Sequence, residues 1–265
     1  MSKFVAIIIP NETKAYEATR ALKELHTEGS LVLYGQAVLA KDSAGNISVK
    51  DAASSGPLGT AVGALAGGLI GLIGGPVGAA IGLTSGALIG SVSDLFNAGV
   101  SAGFVKSVAD ALAPGKVAIV AEISEDWVTP LDTRMSALGG TVIRTFRADV
   151  EQDQIEKEIA AQKAGYERLK VEYAQAADDA KKTLSARVTE AQNELKDAVN
   201  RARDKAEALK KETEAKIATL REQASVAGAD AQRRVDEHIA AVRADYEKRS
   251  AKLEQAWTLA KDALS

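Results

Sequence analysis

The sequence is organised around an uncharged stretch from Gly59 to Ser93, which reads GTAVGALAGGLIGLIGGPVGAAIGLTSGALIGSVS. Glycine recurs every fourth residue on each side of a Gly74-Gly75-Pro76 break. The repeating glycines are Gly59, Gly63, Gly67, Gly71, Gly75, Gly78, Gly82, Gly86 and Gly90. Residues four apart lie on one face of a helix, so each half predicts a flat ridge without side chains beside an apolar ridge. We therefore predict a glycine-zipper helical hairpin over residues 52–93.

Glycine in a helix is less favourable than alanine by about 0.5–1 kcal/mol. A helix tolerates many glycines where another backbone packs closely against it, as between membrane helices that associate through small residues. The halves 58–75 and 76–93 would each extend about 27 Å, close to the ~30 Å thickness of a hydrocarbon core. We expect membrane insertion. Burial inside a soluble oligomer is the alternative, and a flexible linker is disfavoured because Leu and Ile recur at helical spacing.

The segments on either side of the hairpin each contain a β-α-β pattern. The apolar run Phe4–Ile9 predicts a strand, followed by a helix that begins near Asn11 and ends at Gly29, and by a strand over 31–39. The run 117–121 predicts the equivalent strand, followed by a helix that ends at 139–140 and a strand over 141–146. Two such units predict an α+β fold of the ferredoxin-like split β-α-β type, formed by residues 1–51 and 94–148.

Three pieces of this region resemble an uncharacterised bacterial family. They are the FVAIIIP opening, the GTAVGALAGGLIGLIGGPVGAAIG block and the VAIVAEI strand. The family is a domain of unknown function, often described as a membrane protein, with a glycine-zipper insert in a small α/β domain. The resemblance covers roughly residues 3–148 and implies architecture and location only, because no activity is defined for that family.

The tail from Asp149 to Ser265 predicts a charged, alanine-rich helix without proline. Its apolar and small residues recur on average about every 3.6 positions, which is typical of a nearly straight, coiled-coil-like helix. Such a thin stripe cannot hold a lone helix, so the tail needs neighbours, a fold-back near Gly228, or a lipid surface. The predicted packing residues are Leu169, Leu184, Val188, Leu195, Val199, Leu209, Leu220, Val235, Ile239, Val242 and Leu253.

Composition argues against most catalytic and cofactor chemistry. The 265 residues include no cysteine, two histidines and 4% aromatics, with a net charge of −3. His26 is expected at a helix end and His238 on a solvated helix face, and no further ligands are spaced to complete a metal site. Basic pairs are interleaved with acids, which disfavours nucleic-acid binding. We predict no enzyme, no cofactor and no small-molecule substrate, and Trp127 and Trp257 are ordinary packed residues or interfacial anchors.

These observations lead to one expected function and two alternatives. We expect a non-enzymatic, self-assembling, membrane-associated structural protein on the cytoplasmic side of the inner membrane. Its partners would be further copies of itself, in a large homo-oligomer, and membrane lipid. The first alternative is an oligomeric channel or pore, with Thr60, Thr84, Ser85 and Ser91 as its polar wall. The second is a soluble stress or surface-coating protein that forms a cytoplasmic cage or ring.

Overall fold

The structure, a computed structural model, describes residues 2–53, 56–73, 100–146, 150–225 and 229–264. The chain divides into two compact units. The first contains Met1–Ala148 and Glu212–Arg243, and the second contains Asp149–Lys211 and Ala244–Ser265. The first unit has an antiparallel sheet with helices, and the second is helical. The predicted α+β class is confirmed.

Five strands form the sheet of the first unit. They are β1 (Lys3–Ile9), β2 (Val32–Lys41), β3 (Ile47–Asp51), β4 (Val117–Ser124) and β5 (Thr141–Phe146). Their order is β3-β2-β4-β1-β5, and every neighbouring pair is antiparallel. The run β2-β4-β1-β5 is the order that two interleaved β-α-β units produce, as in the ferredoxin-like arrangement. The short β3 adds a strand at the edge beside β2.

One face of the sheet is covered by α1 (Glu12–Thr27) and by α4 (Thr129–Ala137). Asn11 caps α1, because its Oδ1 accepts a hydrogen bond from the backbone N–H of Lys14 at 2.9 Å. Leu22 and Leu25 of α1 are buried against this face. The chain leaves the helix through Gly29, whose φ of 74° favours glycine.

The other face is covered by α2 (Pro57–Ile73) and α3 (Ala102–Ala111). Val62, Leu65 and Leu69 of α2 are completely buried against the sheet. The predicted division set 52–93 apart from the domain, and the structure differs from it over α2, which is part of the domain core. The physical reason is that the helices of the two β-α-β units cover only one face of the sheet, and α2 with α3 shields the second from water.

The remainder of the predicted hairpin, residues 74–93, lies outside the described residues. Of the helices that the structure describes, none combines the length and the apolarity needed to cross a membrane.

The tail is three helices, which corrects the prediction of one straight helix. They are α5 (Val150–Gln175), α6 (Asp178–Ser225) and α7 (Ala229–Leu264). A thin, alanine-rich stripe buries little area by itself, and folding back lets the helices bury their stripes against each other. In the second unit Ile159 of α5, Leu195 of α6 and Ala260 of α7 are fully buried together. An ion pair between Arg201 and Glu158 also joins α6 to α5.

Candidate functional site: the docking surface of the helical arm

The most elaborate contact in the first unit joins the α/β domain to residues 212–243, the end of α6 and the start of α7. We call this segment the arm. Its apolar contact is small: Val32 and Tyr34 of β2 pack with Leu220 of α6 and Val235 of α7. Leu58 at the start of α2 packs against the same cluster. The cluster is separate from the two cores that lie on the faces of the sheet.

A buried ion pair lies beside this cluster. Lys216 Nζ of α6 is 2.6 Å from Glu122 Oε1 of β4, and the side chains are 7% and 0% exposed. The same ammonium is 2.8 Å from Glu212 Oε1, one turn earlier on α6. Glu122 lies in the otherwise apolar strand VAIVAEIS, where an isolated carboxylate would be strongly unfavourable. Lys216 therefore supplies the charge that allows Glu122 to remain ionised in the domain.

The ring of Tyr34 forms another side of this polar cluster. Lys216 Nζ lies 5.2 Å from the ring centroid, within the range of a cation–π contact. Burial, together with the negative charge of Glu122, raises the pKa of the Tyr34 phenol well above its usual value. Tyr34 thus stays neutral throughout the physiological range and adds no negative charge beside Glu122.

Gln223 of α6 binds the backbone where α1 leads into β2. Its Nε2 donates hydrogen bonds to the carbonyl oxygen of His26 at 2.6 Å and to that of Leu31 at 2.9 Å. His26 Nδ1 accepts a hydrogen bond from the backbone N–H of Leu33 at 3.2 Å, which requires an unprotonated Nδ1. Burial lowers the pKa of His26, although the Leu31 backbone and Glu222 act in the opposite direction. This part of the surface is therefore built for a neutral imidazole.

The second histidine of the chain lies at the same surface. His238 Nε2 of α7 is 2.9 Å from Asp126 Oδ1, in the segment that follows β4. The prediction that His238 occupies a solvated helix face was wrong, since its side chain is only 15% exposed. His26 does lie near the end of α1 as predicted, but its ring faces β2 and the arm. Both histidines thus take part in docking.

A second charge network lies close by in the α/β domain. The side chain of Glu125 is completely buried and pairs with Arg144 of β5 at 2.7 Å and with Lys3 of β1 at 3.2 Å. Arg144 also binds Asp132 of α4 at 2.8 Å. These side chains connect β1, β5 and α4, so their charges are used in contacts between elements.

The glycine repeat is described only in part. Gly59 and Gly67 are buried, and Gly63 and Gly71 are half-buried, all on α2. An α-helix turns by about 100° per residue, so glycines four apart are displaced by about 40° at each step. The ridge therefore winds around α2, which corrects the prediction of one flat face. Gly75, Gly78, Gly82, Gly86 and Gly90 lie outside the described residues.

Two of the described glycines have free space beside them. A Cβ added at Gly63 or at Gly71 would meet no atom of the described residues within 4 Å. The packing of α2 on the sheet therefore does not require glycine at these positions. Of the predicted pore-lining residues, Thr60 is exposed and its Oγ1 donates a hydrogen bond to the carbonyl of Gly56. Thr84, Ser85 and Ser91 lie outside the described residues.

The predicted tail-packing residues all lie in contacts within the chain or are shielded from solvent there. Leu184, Leu195, Leu209, Leu220, Val235 and Leu253 are buried. Leu169, Val188, Val199, Ile239 and Val242 are partly buried against the helical clusters. Trp127 is 64% exposed and Trp257 is 41% exposed, so neither is a fully packed core residue. Among the described residues, no group of histidine and carboxylate side chains is arranged to hold a metal ion.

The arm surface was not predicted from the sequence. Lys216 and Gln223 are two of many polar residues in a charged helix, and their spacing carries no signal. Glu122 carried one: an acidic residue inside an apolar strand must find a partner or lose its charge. That signal identifies the need for a cation without saying which lysine or arginine supplies it.

Comparison with known proteins adds a family match and no activity. Residues 60–160 match a family model described as "Protein of unknown function (DUF1269)". The matched stretch begins inside α2, covers the second β-α-β unit and ends in α5. It confirms the resemblance to an uncharacterised family. A search of curated proteins and a search of solved structures each found no match.

Proposed function

We propose that the protein is a non-enzymatic structural protein that assembles with copies of itself through the glycine ridge of α2. Its site of action is the cytoplasmic side of a membrane, with lipid as the second partner. The observation that carries the proposal is the free space beside Gly63 and Gly71. Each glycine is less favourable than alanine in a helix by about 0.5–1 kcal/mol. The described fold offers no compensating close contact there, whereas a second backbone packed on the ridge would.

The use of the charged residues also supports a structural role. Glu122, Glu125 and Lys216 are buried, and each forms an ion pair with a different secondary-structure element. His26 and His238 are likewise engaged by other elements. Catalytic acids and bases must instead reach a bound substrate. The groups with the strongest chemical potential in this chain thus hold the fold together.

Alanine substitution at the ridge tests the proposal. Gly63→Ala and Gly71→Ala place a methyl group in space that is open in the chain itself, so the folded monomer should be unchanged or slightly more stable. In an assembly that packs through the ridge, the same methyl groups would separate the helices. We expect the double variant to lose its large species in size exclusion with light scattering while its melting temperature is maintained.

Gly165 provides a matched control. It lies inside α5, and a Cβ added there would also meet no atom within 4 Å, but it is not part of the repeat. Gly165→Ala should raise helix stability by a similar amount and leave assembly unchanged. Unaltered assembly of the Gly63→Ala, Gly71→Ala variant would refute the ridge as the interface. Flotation with liposomes, tested on the same samples, separates a membrane-bound assembly from a soluble cage or ring.

A further inference from the structure

We propose that the arm is also an interaction surface for a second copy of this chain, and that two chains exchange arms so that each arm docks on the other chain's α/β domain. This interface is distinct from the glycine ridge and does not rest on it. Its chemistry is defined by Lys216 and Gln223 on the arm and by Glu122 and the carbonyl groups of His26 and Leu31 on the domain.

The polar groups of this surface make an undocked arm demanding about its partner. Glu122 is completely buried in the docked state, and a carboxylate left there without a cation carries a large desolvation penalty. Gln223 satisfies two carbonyl oxygens with one amide nitrogen, in a fixed arrangement of backbone. A second copy of this chain offers the same cation, the same amide and the same apolar cluster at the same spacing. An exchanged arm therefore loses none of the docked contacts.

The connection between domain and arm is compatible with exchange. Residues 149–211 separate the α/β domain from the arm in sequence. The entropy of closing a connection depends only weakly on its length, so docking within one chain gains no advantage from a short link. The apolar part of the contact is limited to four buried side chains and their neighbours, separate from the domain cores. Opening it leaves those cores intact, and exchange of an identical element is a low-cost route to a dimer.

Charge reversal tests the exchange directly. Lys216→Glu places two carboxylates at the contact, and Glu122→Lys places two ammonium groups there, so neither variant can dock its own arm. In a mixture, the arm of each variant complements the domain of the other at both contacts. We expect the two variants, carrying different affinity tags, to co-purify as a 1:1 dimer. Two differently tagged copies of Lys216→Glu should not show the additional association, although they keep any assembly through α2.

Two further measurements keep the test decisive. The double variant Glu122→Lys, Lys216→Glu restores complementarity within one chain, so its folded circular dichroism spectrum shows that reversal is tolerated. The chain has no cysteine, so a Val32→Cys chain mixed with a Leu220→Cys chain reports exchange with the natural charges intact. A disulfide between the two chains supports exchange. Absence of both the mixed dimer and this cross-link, while a Val32→Cys, Leu220→Cys single chain closes its own disulfide, overturns the proposal.

Discussion

Replacing Lys216 by methionine should destabilise the first unit more than any exposed charge change. The substitution preserves most of the side-chain volume and removes the ammonium that lies 2.6 Å from a completely buried carboxylate. Removing one partner of a buried pair costs about 3–5 kcal/mol, because the remaining charge stays desolvated. Glu212, also close to Lys216, adds a second carboxylate to the uncompensated site. We expect a loss of about 3 kcal/mol or more in the free energy of unfolding at neutral pH.

The matched variants are Glu122→Gln and the double variant Glu122→Gln, Lys216→Met. The double variant should recover a large part of the loss, since it buries no uncompensated carboxylate at Glu122. Acid should also rescue Lys216→Met alone, because protonation of Glu122 removes the same charge. Urea unfolding gives the free energies, and hydrogen exchange over residues 212–243 shows whether the arm opens before the domain. A Lys216→Met loss below 1 kcal/mol, or strictly additive effects, would refute this reasoning.

Three further predictions concern the surroundings of this surface and the sheet. Gln223→Ala leaves two carbonyl groups without their donor and should cost about 1–3 kcal/mol, with faster hydrogen exchange in the arm. His26 has a pKa lowered from 6.5, so as pH falls below 6.5 the unfolded chain binds a proton before the folded chain does. Stability should therefore be greatest above 6.5 and decline on acidification, a slope that His26→Gln removes in a pH series of urea melts while His238→Gln does not. Gly140→Ala would place a Cβ 2.6 Å from Ile9 Cδ1, so thermal melts should show destabilisation of about 1–3 kcal/mol.

The sheet of the α/β domain could be predicted because its signals are local. Apolar runs such as Phe4–Ile9, and turns at Gly29 and Gly139 with positive φ, define the strands and the ends of the helices. The duplicated β-α-β pattern then selects the strand order. Local signals of this kind survive folding because they depend on backbone conformation and on burial at single positions.

The position of α2 could not be predicted by the same reasoning. Val62, Leu65 and Leu69 have the spacing of a helix with one buried face, and that face fits lipid, another helix or a sheet equally well. The tail presents the same difficulty. The break between α5 and α6 falls at Ala176-Ala177, with neither glycine nor proline to mark it. Partners that lie far apart in sequence decide both cases.

The contact between Lys216 and Glu122 also determines the register of α6. An alanine-rich helix presents a nearly repetitive surface, and a slip of one turn, about 5.4 Å, would bring similar small side chains back into contact. Such a slip would put Glu212 or Leu220 in the place of Lys216. Glu212 would oppose Glu122 with a like charge, and Leu220 would leave the carboxylate without a cation. One buried lysine thus distinguishes a single sliding position among several that apolar packing alone would accept.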